Sequence, residues 1–284
     1  MISGSLKRLV IWIILLATWE AAFRIVGWRS WVFPAPSTIA DGLLDLLNIQ
    51  TRFGDPLRHG WPWPQHAPAG PAGHVWDSPL VTANLISGLR LVIGFSISII
   101  LGATLGMLMW RFKSLDQFLG PLFLGLQTLP SVCWVPLGII AFGLDEQAIQ
   151  FVLVMGSFFA IAIGLRDGLA VIPPLYQRAG RMLGANGWRL YRYVLLPASL
   201  PALASGLRQG FSFAWRSLMG AEFVFVVERR GLGFLLQTSR DTVDPAQVMG
   251  IMAVMVVIGM AADRLVFARL QAWVSRRFGL QLAT

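Results

Sequence analysis

The chain has 284 residues, 56% of them hydrophobic and 13% charged, and its 23 Lys and Arg against 14 Asp and Glu give a net charge of +9. Soluble domains carry about 25% charged residues, so lipid must cover part of this surface, which excludes an ordinary soluble globular protein. The lone cysteine, Cys133, excludes a disulfide framework within the chain.

A spanning helix needs roughly 20 apolar residues. Blocks 9–26, 83–110, 118–142, 147–165, 200–227 and 247–268 reach about that length. They do not alternate as the strands of a lipid-facing barrel do, so the expected fold is an all-α polytopic membrane protein with about six transmembrane helices. The first block passes Trp12 and Trp19 without a small-residue exit before Arg24 and is not a cleaved signal peptide. With the N-terminus inside, the inner ends and loops hold Lys7, Arg8, Arg111, Lys113, Arg166, Arg178, Arg181, Arg189, Arg192, Arg264, Arg269, Arg276 and Arg277, a majority of the 23 basic residues. The outer Arg24, Arg29, Arg52, Arg58, Arg229, Arg230 and Arg240 are balanced by acids. That asymmetry is the positive-inside signal and puts both termini in the cytoplasm. The basic balance is therefore a topology signature, with a lesser part for anionic lipid and none for nucleic acid.

Residues 1–80 read as one span, an outer amphipathic helix and a Pro/Trp-rich loop. Glu20 lies near the outer end of the span, in a structural setting. After the breakers from Gly27 to Pro36, Ser37 to Asp41 opens a helix with Thr38 and Asp41 in a capping arrangement. Ile39, Leu43, Leu46 and Leu47 share its apolar face, opposite Asp41, Asp45 and Asn48; it is expected at the outer interface or on the flank of the bundle. Residues 50–79, with Trp61-Pro62-Trp63-Pro64, are too rich in breakers for helix or sheet. They form a flexible linker or a docking surface anchored by tryptophans. His59, His66 and His74 in this loop match no zinc spacing and read as solvated, so no metal site is expected.

The second span carries Arg90 in its outer third and Gly102 and Gly106 four apart, a spacing that lets helices approach closely. In the third, Pro130 and Pro136 each free a carbonyl from the helix ladder. Broken backbone at membrane depth is tolerated only against protein or a water-filled cavity, so Gln127, Pro130, Ser131 and Pro136 are candidates for a pathway lining, against a simple kink in a packed helix. The fourth span is almost featureless and is expected to face lipid on one side. The fifth holds Arg208, Ser212, Trp215, Arg216 and Glu222. Charges at that depth face a cavity or pair with each other. Six residues apart, Arg216 and Glu222 point to different faces, and Arg90 is the candidate partner for Glu222. Arg90 and Arg216 suit an anion path or hold the bundle together.

Between the fourth and fifth spans, Pro173-Pro174 opens a short helix with Tyr176, Ala179, Gly180 and Leu183 on one stripe and Gln177, Arg178 and Arg181 opposite. Gly184 suits a left-handed helix end, Asn186-Gly187 a turn, and Trp188 to Leu195 a second short helix closed by Pro197 and Pro201. Helices this short need something packed on them. The chain has only Lys7 and Lys113 as lysines and no G-x-x-x-x-G-K-[ST] loop. It also lacks a G-x-S-x-G elbow or a His-Glu-x-x-His pair, so no catalytic residue is expected.

Gly184 followed by Val194-Leu195-Leu196-Pro197 resembles the EAA loop of ABC-importer permeases, which reads Glu-Ala-Ala, three residues, Gly, nine residues, Ile-x-Leu-Pro. Arg178-Ala179-Gly180 stands at the Glu-Ala-Ala positions and Val194 at the Ile. Val135-Pro136-Leu137, Phe142-Gly143-Leu144, Gly206-Leu207-Arg208, Ala214-Trp215, Ala221-Glu222 and Gly231-Leu232-Gly233 are similar to the nitrate/sulfonate/taurine/bicarbonate branch. The resemblance implies a type I ABC importer permease fold, with a permease core over 81–275, a coupling loop over 173–197 and a cytoplasmic tail over 276–284. It also implies a multi-pass protein of the bacterial inner (plasma) membrane. The expected partners are membrane lipid, a second permease copy forming a homodimer, two ATPase subunits that bind ATP and Mg²⁺, and a periplasmic or lipid-anchored solute-binding protein. Arg178, Ala179, Gly180, Gly184, Ala185, Val194, Leu196 and Pro197 would contact the ATPase. Arg90, Gln127, Pro130, Ser131, Pro136, Ser212, Trp215, Arg216 and Glu222 would serve the passage of a small anion. The competing reading is a secondary transporter or channel for small anions that works without an ATPase; no internal repeat supports it.

Overall fold

The computed structural model describes residues 4–27, 33–47, 78–225, 227 and 229–277, and every regular element among them is helical. The Pro/Trp-rich loop with its three histidines lies outside the described residues, apart from its end at 78–79. The chain forms two compact units, each built from separate segments: residues 1–86 with 229–256, and residues 87–228 with 257–284.

The first unit holds α1 (Gly4–Val26), α2 (Pro36–Leu46), the first turns of α3 (Pro79–Arg111), α10 (Leu232–Asp241) and most of α11 (Pro245–Ala262). Helix α2 starts at Pro36, whose fixed φ suits a first turn. Thr38 therefore lies inside the helix and donates to the Ala35 carbonyl at 2.7 Å, and no side chain caps α2, contrary to the Thr38–Asp41 expectation. Glu20 instead accepts from the Ser37 backbone N–H at 3.3 Å and hydroxyl at 3.2 Å, and from Arg24 at 2.9 Å, joining α1 to the start of α2. Helix α2 crosses α11 through two glycines: a Cβ on Gly42 would stand 3.3 Å from the Gln247 nitrogen, and one on Gly250 would stand 2.8 Å from Leu43 Cγ. Asp244 caps α11, accepting from the Ala246 and Gln247 N–H groups at 3.1 and 3.2 Å, with Pro245 behind it.

The second unit is built on the pair α6 (Glu146–Ala170) and α9 (Leu196–Val224). Their backbones nearly touch: a Cβ on Gly164 would stand 2.8 Å from Gly206 Cα. Helix α3 lies equally close to α6 at Gly102, where a Cβ would meet the Phe158 carbonyl at 2.8 Å. Helix α6 is thus the centre of this unit rather than a lipid-facing flank; Ile149, Val152, Leu153, Ile161 and Ala162 are fully buried. Uniform hydrophobicity suits an interior helix as well as a lipid-facing one, and here the small residues let the neighbouring helices reach it.

The third apolar block is broken as the prolines suggest. Helix α4 (Lys113–Gln127) ends, a 3₁₀ turn (Ser131–Trp134) and α5 (Val135–Phe142) follow, and the two halves are bent by 109°. Pro130 makes this break, leaving the helix at ψ 135. Pro136 sits in the first turn of α5, where no donor is needed. After α7 (Pro174–Met182), the three-residue α8 (Trp188–Leu190) runs through a π turn (Tyr191–Leu195) straight into α9. Pro197 and Pro201 therefore do not end the short helix as expected. Pro197 falls in the first turn of α9, and the π turn before it absorbs the irregularity. A second π turn (Asp263–Phe267) joins α11 to α12 (Ala268–Arg277).

Among the described residues, three helices are long and apolar enough to cross a membrane: Pro79–Arg111, Glu146–Ala170 and the run Pro245–Arg276; the bent pair makes four if it is one span.

Candidate functional site

Where α4 breaks, a cavity of about 320 Å³ opens. Gln127, Thr128, Pro130 and Ser131 line it from the break, Met155 and Gly156 from α6, and Phe213, Arg216 and Ser217 from α9. Gly156 lets α6 approach α9 at the cavity wall, because a Cβ there would stand 2.8 Å from Ser217 Cβ. The wall is apolar with a few convergent polar groups, the usual make-up of a small-molecule site. Its one cation is held in place rather than neutralised. Arg216 Nε donates to the Ser212 carbonyl at 3.1 Å, and the guanidinium lies 4.7 Å from the centre of the Phe213 ring. Among the described residues no carboxylate pairs with it.

Of the expected pathway residues, Gln127, Pro130, Ser131 and Arg216 meet in this cavity. Pro136 lies one helix further on. Ser212 contributes through its backbone carbonyl, and Trp215 faces Gly259 of α11, where a Cβ would stand 3.4 Å from the indole nitrogen. Arg90 and Glu222 stand apart in a buried cluster: Arg90 Nη1 donates to Glu222 at 2.8 Å and Nη2 to Glu146 at 2.7 Å, while the Ser87 hydroxyl lies 2.7 Å from Glu222. Both are nearly inaccessible, at 2% and 1%. Arg208 pairs elsewhere, with Asp263 in the second π turn at 2.7 Å and with Gln271 at 3.1 Å. Sequence reasoning missed Thr128, Met155, Gly156, Phe213 and Ser217. Gly156, inside an otherwise bulky apolar run, was the signal available.

The basic stretch folds into a fixed knob. Helix α7 ends on Gly184 at φ +82, with the Ala185 N–H donating to the Gly180 carbonyl at 2.9 Å and the Gly184 N–H to the Arg181 carbonyl at 3.0 Å. This is the paired-bond helix end that favours glycine at its left-handed position. Gly180 is the buried point of α7; a Cβ there would meet Leu190 at 2.7 Å and Val194 at 3.0 Å. Leu190 and Leu195 pack on Leu165 and Leu169 of α6 and on Ile172, with Ala185 and Val194 beside them. Trp188 and Tyr191 stack with centroids 5.4 Å apart, and burial raises the Tyr191 phenol above its usual value. The expected apolar stripe is not buried: Tyr176, Ala179 and Leu183 are exposed, and α7 packs through one glycine because only the Trp188–Leu195 segment lies against it. Arg178, Ala179 and Gly184 face outward, while Leu196 and Pro197 open α9.

Residues 84–280 match the family described as binding-protein-dependent transport system inner membrane component. The bicarbonate transport system permease protein CmpB of Synechococcus elongatus is 30% identical over 202 residues, 70% of this chain and 71% of that one. The taurine transport system permease protein TauC of Escherichia coli is 26% identical, covering 72% and 74%. The nitrate import permease protein NrtB of Synechocystis sp. is 25% identical, covering 62% and 64%. A solved structure titled as an amino acid ABC transporter with histidines shares the fold, at a TM-score of 0.53 and 17% identity over 70% of this chain and 93% of that one. The motif order, the apolar helices and these matches agree: the chain is a multi-pass membrane protein and belongs to the binding-protein-dependent ABC permease family.

Proposed function

We propose that this chain forms the pore of an ATP-driven importer for a small anion: nitrate, taurine or another aliphatic sulfonate, or bicarbonate. Membership of the permease family makes it a transport subunit rather than an enzyme. The observation that carries the anion is Arg216, a cation held over Phe213 at the mouth of a broken helix, beside the hydroxyls and amide of Gln127, Thr128, Ser131 and Ser217. An oriented guanidinium with polar neighbours recognises a planar or tetrahedral oxyanion. The relatives named for bicarbonate, taurine and nitrate support the same class.

In this reading two copies form the pore across a bacterial inner membrane, each with six spans and cytoplasmic termini. A solute-binding protein delivers the anion outside. Two ATPase subunits hold ATP and Mg²⁺ inside, in keeping with the missing phosphate loop here. Residues 173–197 dock on them and carry their closure to α6 and α9, a rigid element with two positions. The test is uptake of labelled nitrate, bicarbonate and taurine into vesicles holding the permease, an ABC ATPase and its binding protein. Uptake that requires ATP and all three proteins supports the importer. Uptake that persists without the ATPase overturns it in favour of a secondary transporter or channel.

A further inference from the structure

We infer that the surface receiving the 173–197 knob is an apolar groove rimmed by carboxylates on the ATPase. This rests on the coupling role proposed above and adds the chemistry of the partner. Arg178, Arg181, Arg189 and Arg192 are all exposed on the knob, and among the described residues none of the four makes an ion pair. The chain offers them nothing nearby in sequence: no Asp or Glu lies between Asp167 and Glu222. Arg178 stands where the EAA loop carries glutamate, so the polarity of that contact is inverted and a cationic groove would repel this knob. Like charges facing each other across an interface are strongly disfavoured, and opposite ones set partner choice.

The tip between these arginines is apolar and open. Met182 and Leu183 are each 88% exposed, Tyr193 73% and Trp188 69%. Nothing lies within 4 Å of a Cβ placed on Gly184 or Gly187, so the backbone itself is accessible there. The knob is also held rigid by its glycine helix end and by the Leu190–Leu195 packing. A rigid tip with bare backbone fits a shaped protein groove, whereas a fluid headgroup layer makes no use of either. Bidentate guanidinium–carboxylate pairs at the rim then fix the register.

The chain makes a clean test possible because Lys7 and Lys113 are its only lysines. Arg178→Lys and Arg181→Lys keep the charge and supply an amine that a zero-length carbodiimide joins to a neighbouring carboxylate. Each variant is assembled with the ABC ATPase that supports uptake by the wild-type chain, in discs of uncharged phosphatidylcholine, and treated with the carbodiimide. The expected result is an amide link from the new lysine to an Asp or Glu of the ATPase, mapped by mass spectrometry. The paired charge reversal Arg178→Glu with Arg181→Glu is expected to lower ATPase recovery by about tenfold or more and to abolish its salt sensitivity. An assembled complex that gives no such link, with the reversed pair assembling at the wild-type level, overturns the inference and leaves the importer reading intact. Loss of assembly confined to discs containing phosphatidylglycerol assigns the arginines to lipid headgroups and overturns it too. A wild-type chain that binds no ATPase in either disc brings down the importer reading, and this inference with it.

Discussion

Arg216 and Glu222 share one helix and have opposite fates. Six positions apart they face different directions, and the sequence alone pairs Glu222 with Arg90, as the 2.8 Å contact bears out. What the sequence did not disclose is the third member, Glu146, because its position at the start of α6 reads as an ordinary helix-opening acid. In the cluster Arg90 uses both edges of its guanidinium, one towards each carboxylate. Removing one partner of a buried pair leaves an uncompensated charge and costs about 3–5 kcal/mol. Arg90→Ala is therefore expected to lower the unfolding temperature in detergent sharply, and Arg90→Lys to recover only part of the loss, since an ammonium has no fork to bridge two carboxylates. Arg216→Gln predicts the reverse pattern. With no carboxylate partner to orphan, stability stays near wild type, while anion uptake falls about 10- to 100-fold for the loss of one charge-assisted hydrogen bond of about 1.5–3 kcal/mol. Equal uptake by the Gln variant in the vesicle assay removes Arg216 from the pathway. Val243, at φ +56 in the exposed α10–α11 turn, holds a conformation that costs a β-branched residue about 1–2 kcal/mol. Val243→Gly is expected to raise the unfolding temperature without touching transport.

At the scale of elements, glycine spacing and proline placement are the most informative signals, and they inform unevenly. Pro130 marked the broken helix, and Gly184 marked the end of α7. The glycines of α3 announce close packing, yet the partner they pack on, α6, looks featureless because its own Gly156 and Gly164 sit among bulky apolar residues. Uniform hydrophobicity is the mark of both a lipid-facing and a wholly interior helix, so composition cannot separate them and only the glycines point inward. Pro197 and Pro201 misled for a related reason. Proline stops a regular helix, but Pro197, in the first turn after a π turn, meets no regular ladder to break, and Pro201 is carried inside the helix that continues past it. The Gly156 position yields a sharp expectation: Gly156→Val drives a side chain into Ser217 and displaces that wall of the cavity. Uptake should fall to background while ATPase assembly is kept, read by co-purification. Wild-type uptake in that variant would mean that the solute passes elsewhere.

At the scale of the chain, α6 connects the two candidate sites. Its C-terminal end, through Leu165 and Leu169, forms the floor on which Leu190 and Leu195 of the knob pack, and its middle, through Met155 and Gly156, walls the cavity. Interiors are close-packed and transmit displacement as rigid bodies, so a push on the knob reaches the cavity only as far as this packing is intact. Leu169, 1% exposed, packed beneath the knob and absent from the cavity lining, is the place to interrupt it. Leu169→Ala removes a buried side chain at a cost of about 2–5 kcal/mol, which a well-packed membrane bundle sustains as a lower unfolding temperature. The knob's exposed face is unchanged, so ATPase assembly and basal ATP turnover are expected to stay within about twofold of wild type, because assembly depends on the contact surface rather than on what lies beneath it. Stimulation of ATP turnover by loaded binding protein should instead fall towards one, and uptake with it. Measuring basal and stimulated turnover on the same preparation separates the two. Loss of both would make Leu169 a folding residue only, and retention of full stimulation would route coupling through α9, which the knob also enters directly at Leu196.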